Sequence, residues 1–376
     1  DDGQHWESLQ LNLPVVPIHD FVIKDGDLVV ATHGRSFWIL DDLSPLRQVA
    51  TGAVDPEGVV LFKPRDTVRW LRYSGFGHAP IDGRNYRMAN GLVVTFVREA
   101  DENGQYTETY IDAGNNPPDG VLIHYYLDSA PGDREVAIAI GDADGNEIIR
   151  FSNKAEQDKL KLYPKQGANR FVWNFRYPDA TAIEGDEVSK AFLNGPKAAP
   201  GDYTVTLAVD GDEQRQSFSI LPDPRLSASL DDLRAQFDLQ LQIRDKISEI
   251  HEAVGAIRRI REQVDRWMER GESEAIAQAG EALKARLADI EGNLVQVKAK
   301  SAKDRLKFPV KLNAKLNGLM AAVASSEGRP NEQSYAVFAD LASRADEQLA
   351  RFEALKNEEL AAFNKAVEEM GVVAVG

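Results

Sequence analysis

From Gly91 to about residue 220, apolar positions come in short runs separated by clusters of Gly, Pro, Asn and Asp. Gly91-Leu-Val-Val-Thr-Phe-Val97, Val121-Leu-Ile-His-Tyr-Tyr-Leu127, Glu135-Val-Ala-Ile-Ala-Ile140 and Tyr203-Thr-Val-Thr-Leu-Ala-Val209 are the clearest. Runs of this length, with no amphipathic helical stretch between them, predict antiparallel strands in a β-sandwich, about eight of them. Turn-forming residues join apolar runs at Ile140-Gly-Asp-Ala-Asp-Gly-Asn-Glu-Ile148 and at Val209-Asp-Gly-Asp212, so both predict hairpins.

Beyond Leu221-Pro-Asp-Pro224, a rigid hinge whose prolines are expected to end any strand, the apolar period changes from two to three and four. Ser229 is placed to cap a helix, with Asp232 three residues on, and Ile243, Ile247, Ile250, Val254 and Ile257 then form a heptad seam. A second seam runs through Ile276, Leu283, Leu287, Ile290 and Leu294. A third starts at Pro309 and takes Leu312, Leu316, Leu319 and Val323; the fourth is Tyr335, Phe338, Ala342, Ala345, Leu349 and Phe352. Breaks near Gly271, Phe308-Pro309 and Gly328-Arg-Pro330 make this an antiparallel helical bundle of four-helix type.

The first fifty residues are different again. Leu28-Val-Val-Ala-Thr32 and Ser36-Phe-Trp-Ile-Leu40 predict two or three strands joined by tight turns, too little for a core of its own. A chain of 376 residues has room for several cores. The expected organisation is therefore 1–50 as an incomplete β unit, 51–90 as a linker or covering loop, 91–222 as the sandwich and 223–376 as the bundle.

Composition narrows function mainly by exclusion. A formal charge of −16 disfavours nucleic acid and anionic membrane surfaces as partners. The basic run Arg258-Arg259-Ile260-Arg261 reads as a solvated helix face. There is no cysteine, which excludes disulfides and thiolate metal sites. No apolar stretch reaches the roughly 18 residues of a membrane span. The chain opens at Asp1 without an initiator Met or an apolar leader, so any targeting segment is expected to have been removed or to lie upstream.

Resemblance enters at the N-terminus. Asp1-x-Gly3-x-x-Trp6 resembles the tail of the Asp-box, Ser-x-Asp-x-Gly-x-Thr-Trp, the repeated turn of sialidase-like and sortilin-like β-propellers, with His5 where Thr is usual. Leu28-Val-Val-Ala-Thr-His-Gly-Arg-Ser-Phe-Trp-Ile-Leu-Asp-Asp42 is similar to the closing blade of bacterial BNR-repeat proteins catalogued as glycosyl hydrolases. Asn115-Asn-Pro-Pro-Asp-Gly-Val121, Asn169-Arg-Phe-Val-Trp-Asn-Phe175, Pro200-Gly-Asp-Tyr-Thr-Val205, Gln236-Phe-Asp-Leu-Gln-Leu241 and Arg329-Pro-Asn-Glu-Gln-Ser-Tyr335 resemble that family's C-terminal region, so the likeness spans nearly the whole chain. The Trp-Asn-Phe and Pro-Gly-Asp-Tyr-Thr-Val stretches also resemble the Ig-like domain of flagellar hook-capping proteins.

The resemblance implies an exported bacterial protein with further propeller blades upstream, of which 1–50 would be the last remnant, followed by an Ig-like sandwich. Asp1, Gly3 and Trp6 would then shape a turn and carry no chemistry. Arg35 and His33 are the residues placed to contact a propeller axis, although the preferred reading is that Arg35 braces the blade or pairs with Asp41 or Asp42. The stretch Gly75-Phe-Gly-His-Ala-Pro-Ile-Asp-Gly-Arg-Asn-Tyr-Arg-Met88 reads as a covering loop in which Phe76, Arg84 and Tyr86 are candidates to stack on a sugar ring. Asp142-Ala-Asp144-Gly145 is a turn too short for a calcium loop, and His251-Glu252 lacks the second His of a zinc helix because Gly255 stands there. No cofactor or metal site is expected.

The expected function is a non-catalytic accessory region of an exported propeller protein. Its partners would be the upstream blades and a glycan or protein, with oligomers formed through the helices. Two alternatives stay open: part of a sialidase-like glycosyl hydrolase whose active site lies upstream, and part of a sortilin-like peptide-binding propeller.

Overall fold

The computed structural model describes residues 3–4, 6–52, 58–71, 80–89, 92–100, 106–114, 116–186, 193–270, 273–301, 304 and 307–369. They are β first and helical second, in two compact units: Asp1–Asn174 with Gly201–Leu221, and Phe175–Pro200 with Pro222–Gly376. The expected sandwich range therefore lends residues 175–200 to the helical unit.

In the first unit, β1 (Ile18–Lys24), β2 (Asp27–Thr32) and β3 (Phe37–Leu40) form an antiparallel sheet in the order β1-β2-β3. Asp25 and Gly26, both at positive φ (53° and 86°), make the two-residue turn that matches strand twist and fixes Lys24 opposite Asp27. A short helix, α1 (Ser44–Ala50), follows.

The range expected to be a linker supplies β4 (Val60–Leu61), β5 (Thr67–Arg69) and β6 (Gly83–Ala89). β6 pairs with β7 (Leu92–Ala100), and β7 with β8 (Tyr106–Tyr110), in a separate meander. The sandwich-like pair consists of β12-β9-β4 and β11-β10-β13-β14-β5, where β9 is Val121–Leu127, β10 Val136–Gly141, β11 Glu147–Ser152, β12 Gly167–Trp173, β13 Gly201–Val209 and β14 Asp212–Pro222. Neither sheet closes on itself. The predicted strand runs are all here, but 92–110 belongs to the meander, and β14 runs on through Leu221 into Pro222.

The two sandwich sheets meet through Trp173 on β12, whose ring lies 5.8 Å from Tyr203 of β13 and 6.2 Å from Phe218 of β14. Ile123, Leu127, Ile138, Ile140, Val205 and Leu207 complete the buried layer. Gly120 is required beside it: a Cβ there would stand 2.3 Å from the Trp173 carbonyl oxygen.

In the second unit, α2 (Leu230–Arg270) starts on a reciprocal cap: the Asp232 amide donates to the Ser229 hydroxyl at 3.2 Å, and the Ser229 amide to the Asp232 carboxylate at 3.1 Å. It is followed by α3 (Glu274–Leu294), α4 (Leu312–Val323), α5 (Glu332–Leu355) and α6 (Ala361–Glu369). The first three predicted seams are buried in one core, joined by Ala180, Ile183 and Leu193 from the 175–200 segment.

Two details differ from expectation. The third helix begins at Leu312 rather than Pro309. On α5 the buried stripe is Leu341, Ala345, Gln348, Phe352 and Leu355, so the seam is rotated and Tyr335 is exposed. The expected break at Gly271 lies outside the described residues.

Candidate functional site

The predicted site residues are spread over the first unit. Asp1 and Phe76 lie outside the described residues. Gly3, at φ +83°, accepts a 2.8 Å hydrogen bond from the Trp6 indole on its carbonyl. The Trp6 ring is 88% exposed, instead of packed between sheets. A second turn repeats the motif: the Trp38 indole donates to the Arg35 carbonyl at 2.9 Å.

Arg35 and His33 are both exposed. The His33 ring lies 4.8 Å from that of His19, and Arg35 makes no ion pair among the described residues. It does not pair with Asp41 or Asp42. Arg84 and Tyr86 lie on strand β6, not on a loop, and share its exposed face; between them Asn85 turns inward and grips the amide and carbonyl of Ile81 at 2.8 and 2.6 Å.

The acidic pair after β3 is tied up locally. Asp42, buried and at φ 57°, accepts from the Ser44 amide at 3.0 Å, which places its carboxylate at the start of α1. Its other oxygen lies 3.3 Å from His124 Nε2. Burial pushes this carboxyl up, but the close His124 imidazole and the hydrogen bond from Ser44 outweigh burial and hold it at about 2. Asp27 receives Arg65 at 2.7 Å and the Asp42 amide at 2.8 Å.

Ser, Asp and His thus meet at one place, but with the carboxylate in the middle. A nucleophilic triad needs the imidazole between hydroxyl and carboxylate, so that it can take the hydroxyl proton. The order found here stabilises a turn.

The helical unit buries polar groups that sequence reasoning did not find. His251 has Nδ1 2.7 Å from the Thr181 carbonyl and Nε2 3.2 Å from Asn313 Nδ2. A carbonyl only accepts, so Nδ1 carries the proton and Nε2 accepts from Asn313. Burial pushes His251 below the usual histidine range, against the opposing influence of Thr181 and Asp186.

Glu291, buried on α3, receives Arg258 at 2.7 Å and Arg261 at 2.9 Å. The basic run is therefore not simply a solvated face: Arg258 and Arg261 turn inward to one carboxylate, and only Arg259 is fully exposed. The signal was available in principle, because Glu291 falls next to Ile290 in the α3 seam, where an acid needs a cation.

Among the described residues no cluster of three or more His, Asp or Glu side chains is placed to hold a metal ion. Among them, too, no helix is long and apolar enough to cross a membrane. No family model matches this chain, and no curated protein matches it.

Proposed function

We propose that this chain is a non-catalytic accessory region of an exported BNR-type β-propeller protein. In this reading β1–β3 form part of the last blade, an Ig-like sandwich and a helical bundle follow, and the blades upstream are the first partner. The observation that carries it is the β1–β3 sheet, which leaves large apolar residues exposed on both faces among the described residues.

Pairing puts Phe21, Val30 and Trp38 on one face with Ile23, Leu28 and Leu40, and Val22, Val29 and Ile39 on the other with Phe37. Phe21 is 66% exposed and Phe37 73%. A soluble edge sheet normally alternates apolar and polar residues; strands apolar on both sides suit a sheet with a neighbour on each face. Blades stacked around a propeller axis have that arrangement. The Trp6 and Trp38 turns agree with it, and the Asp42, Ser44 and His124 geometry supports a structural role for the polar residues beside the sheet.

The test is hydroxyl-radical footprinting of Trp6, Phe21 and Phe37 in this chain and in a longer chain that includes the preceding sequence. Protection of all three in the longer chain is expected. Equal oxidation in both removes the propeller reading, and turnover of a glycoside or peptide by this chain alone removes the non-catalytic one.

A further inference from the structure

The helical unit contains a cavity of about 360 Å³, lined by Gln240 of α2, by Ala314, Asn317, Gly318, Ala321 and Ala324 along α4, and by Arg176 with Asn194-Gly195-Pro196. This volume lies in the range of small-ligand sites. Apart from Asn317 and Met320 its α4 wall is made of small residues, of which Gly318, Ala321 and Ala324 are exposed, and a Cβ at Gly318 would meet nothing within 4 Å. The opposite wall is stitched in place: Arg176 donates to the Gly195 carbonyl at 2.7 Å, the Gly195 amide to Asp179 at 3.1 Å, and the Tyr177 amide to the Pro196 carbonyl at 3.0 Å.

Gln240 gives this cavity its chemistry. It is only 7% exposed, yet its carboxamide makes no hydrogen bond among the described residues. One turn earlier on α2, the equally buried Gln236 donates to the Val323 carbonyl at 2.7 Å. The Gln240 oxygen and nitrogen are therefore left to the cavity side, where a ligand presenting one donor and one acceptor would match both. Asn317, half-buried on the same wall as the small residues, likewise makes no side-chain hydrogen bond among the described residues.

The molecule itself shows what such a carboxamide grips. Asn169 accepts from the Lys165 amide at 2.9 Å and donates to the Lys165 carbonyl at 2.7 Å. Asn85 holds Ile81 in the same way, and Gln48 holds the amide and carbonyl of Lys63 at 2.9 and 3.0 Å. In each case one carboxamide reads the N–H and C=O of a single residue, which in an extended chain point to the same side.

We propose that the cavity binds a short extended peptide segment from another chain, with the N–H and C=O of one residue held by Gln240 and a small apolar side chain against the Ala314–Ala324 face. Among the described residues no carboxylate lines the cavity and its one cation, Arg176, is engaged with Gly195, so the recognised group is a neutral backbone amide rather than a charged terminus. The site stands whether or not propeller blades precede this chain.

The probe is the blocked tripeptide N-acetyl-Ala-Leu-Ala-amide, titrated against the whole chain by saturation-transfer NMR. Its analogue with an ester in place of the central N–H and the neutral sugar maltotriose are the controls. Millimolar binding is expected, weakened about tenfold or more by the ester and by Gln240→Leu, and lost in Gly318→Leu, which fills the cavity. Gln240→Leu should keep or raise Tm, since it removes an unpartnered buried amide. The proposal fails if the tripeptide does not bind, if maltotriose binds as well, if the ester or Gln240→Leu binds unchanged, or if Gln240→Leu lowers Tm by several degrees and so reveals a structural bond.

Discussion

Strands β1–β3 and strands β10 and β13 have similarly apolar sequences, yet they meet opposite fates. Val136, Ile138 and Ile140 of β10 and Val205, Leu207 and Val209 of β13 point into the sandwich and are buried, while Ala137, Ala139, Thr204 and Thr206 on the outer side are small. Phe21, Ile23, Phe37 and Ile39 stay exposed on their sheet. An apolar run fixes a strand, but its contribution to stability depends on a facing layer. The same residue type should therefore be worth several kcal/mol in one region and almost nothing in the other.

The sharpest contrast comes from placing a charge in each region. Ile250→Asp puts a carboxylate in the sealed seam of α2 and is expected to destabilise the helical unit by about 4 kcal/mol or more, enough to unfold it. Phe338→Asp strikes a half-buried position on α5 and should cost clearly less. Phe21→Asp on the open sheet should leave thermal unfolding of this chain within about 0.5 kcal/mol of wild type. Urea titration followed by circular dichroism ranks the three; a large loss in Phe21→Asp would show that the sheet is already covered.

Truncation gives the next step down. Trp173→Ala empties the centre of the sandwich and should cost about 3–5 kcal/mol, whereas Phe37→Ala should be close to neutral, both read from tryptophan fluorescence on denaturation. Gly120→Ala belongs between them, at about 1–3 kcal/mol, because its methyl group presses on the Trp173 carbonyl and the backbone must give way. If Phe37→Ala matched Trp173→Ala, the contrast between open and covered sheets would collapse.

These contrasts also mark what was legible in the sequence. Ile243 to Ile257 could be read because a seam repeats its period over many residues, and every member carries the same message. The rotation of the α5 stripe could not: Leu341 and Gln348 are as compatible with the period as Ala342 and Leu349, and only neighbouring helices decide between them. Residues 175–200 contain no periodic element, so their place in the helical unit rests on tertiary contacts such as Thr181 with His251 and Ala180 with the seam residues. Gln240 was invisible for a similar reason. It is one of three glutamines alternating with apolar residues in Gln236–Ile243 and becomes distinctive only when its burial and its lack of partners are known.

Acid should separate the two units more gently. His251 has a lowered proton affinity in the folded helical unit, so its unfolded form binds protons first as pH falls. Its contribution is fully present above the ordinary histidine value of about 6.5 and is lost as pH drops through the lowered folded value. Asp42 is also lowered, to about 2, so its contribution holds down to the ordinary carboxyl value of 3.8 and is lost between there and about 2. Asp41 acts in the opposite direction, being raised by burial and by Asp27. Between pH 7 and pH 5 the helical unit should therefore lose stability while the β unit holds, and His251→Gln, which can still donate to Thr181, should flatten that slope. Tm followed at 222 nm for the helices, and by tryptophan emission of a Trp267→Phe background for the sandwich, tests this. If His251→Gln kept the wild-type slope, the acid sensitivity would lie elsewhere in the helices; if both units softened together, the two cores would not be energetically separate.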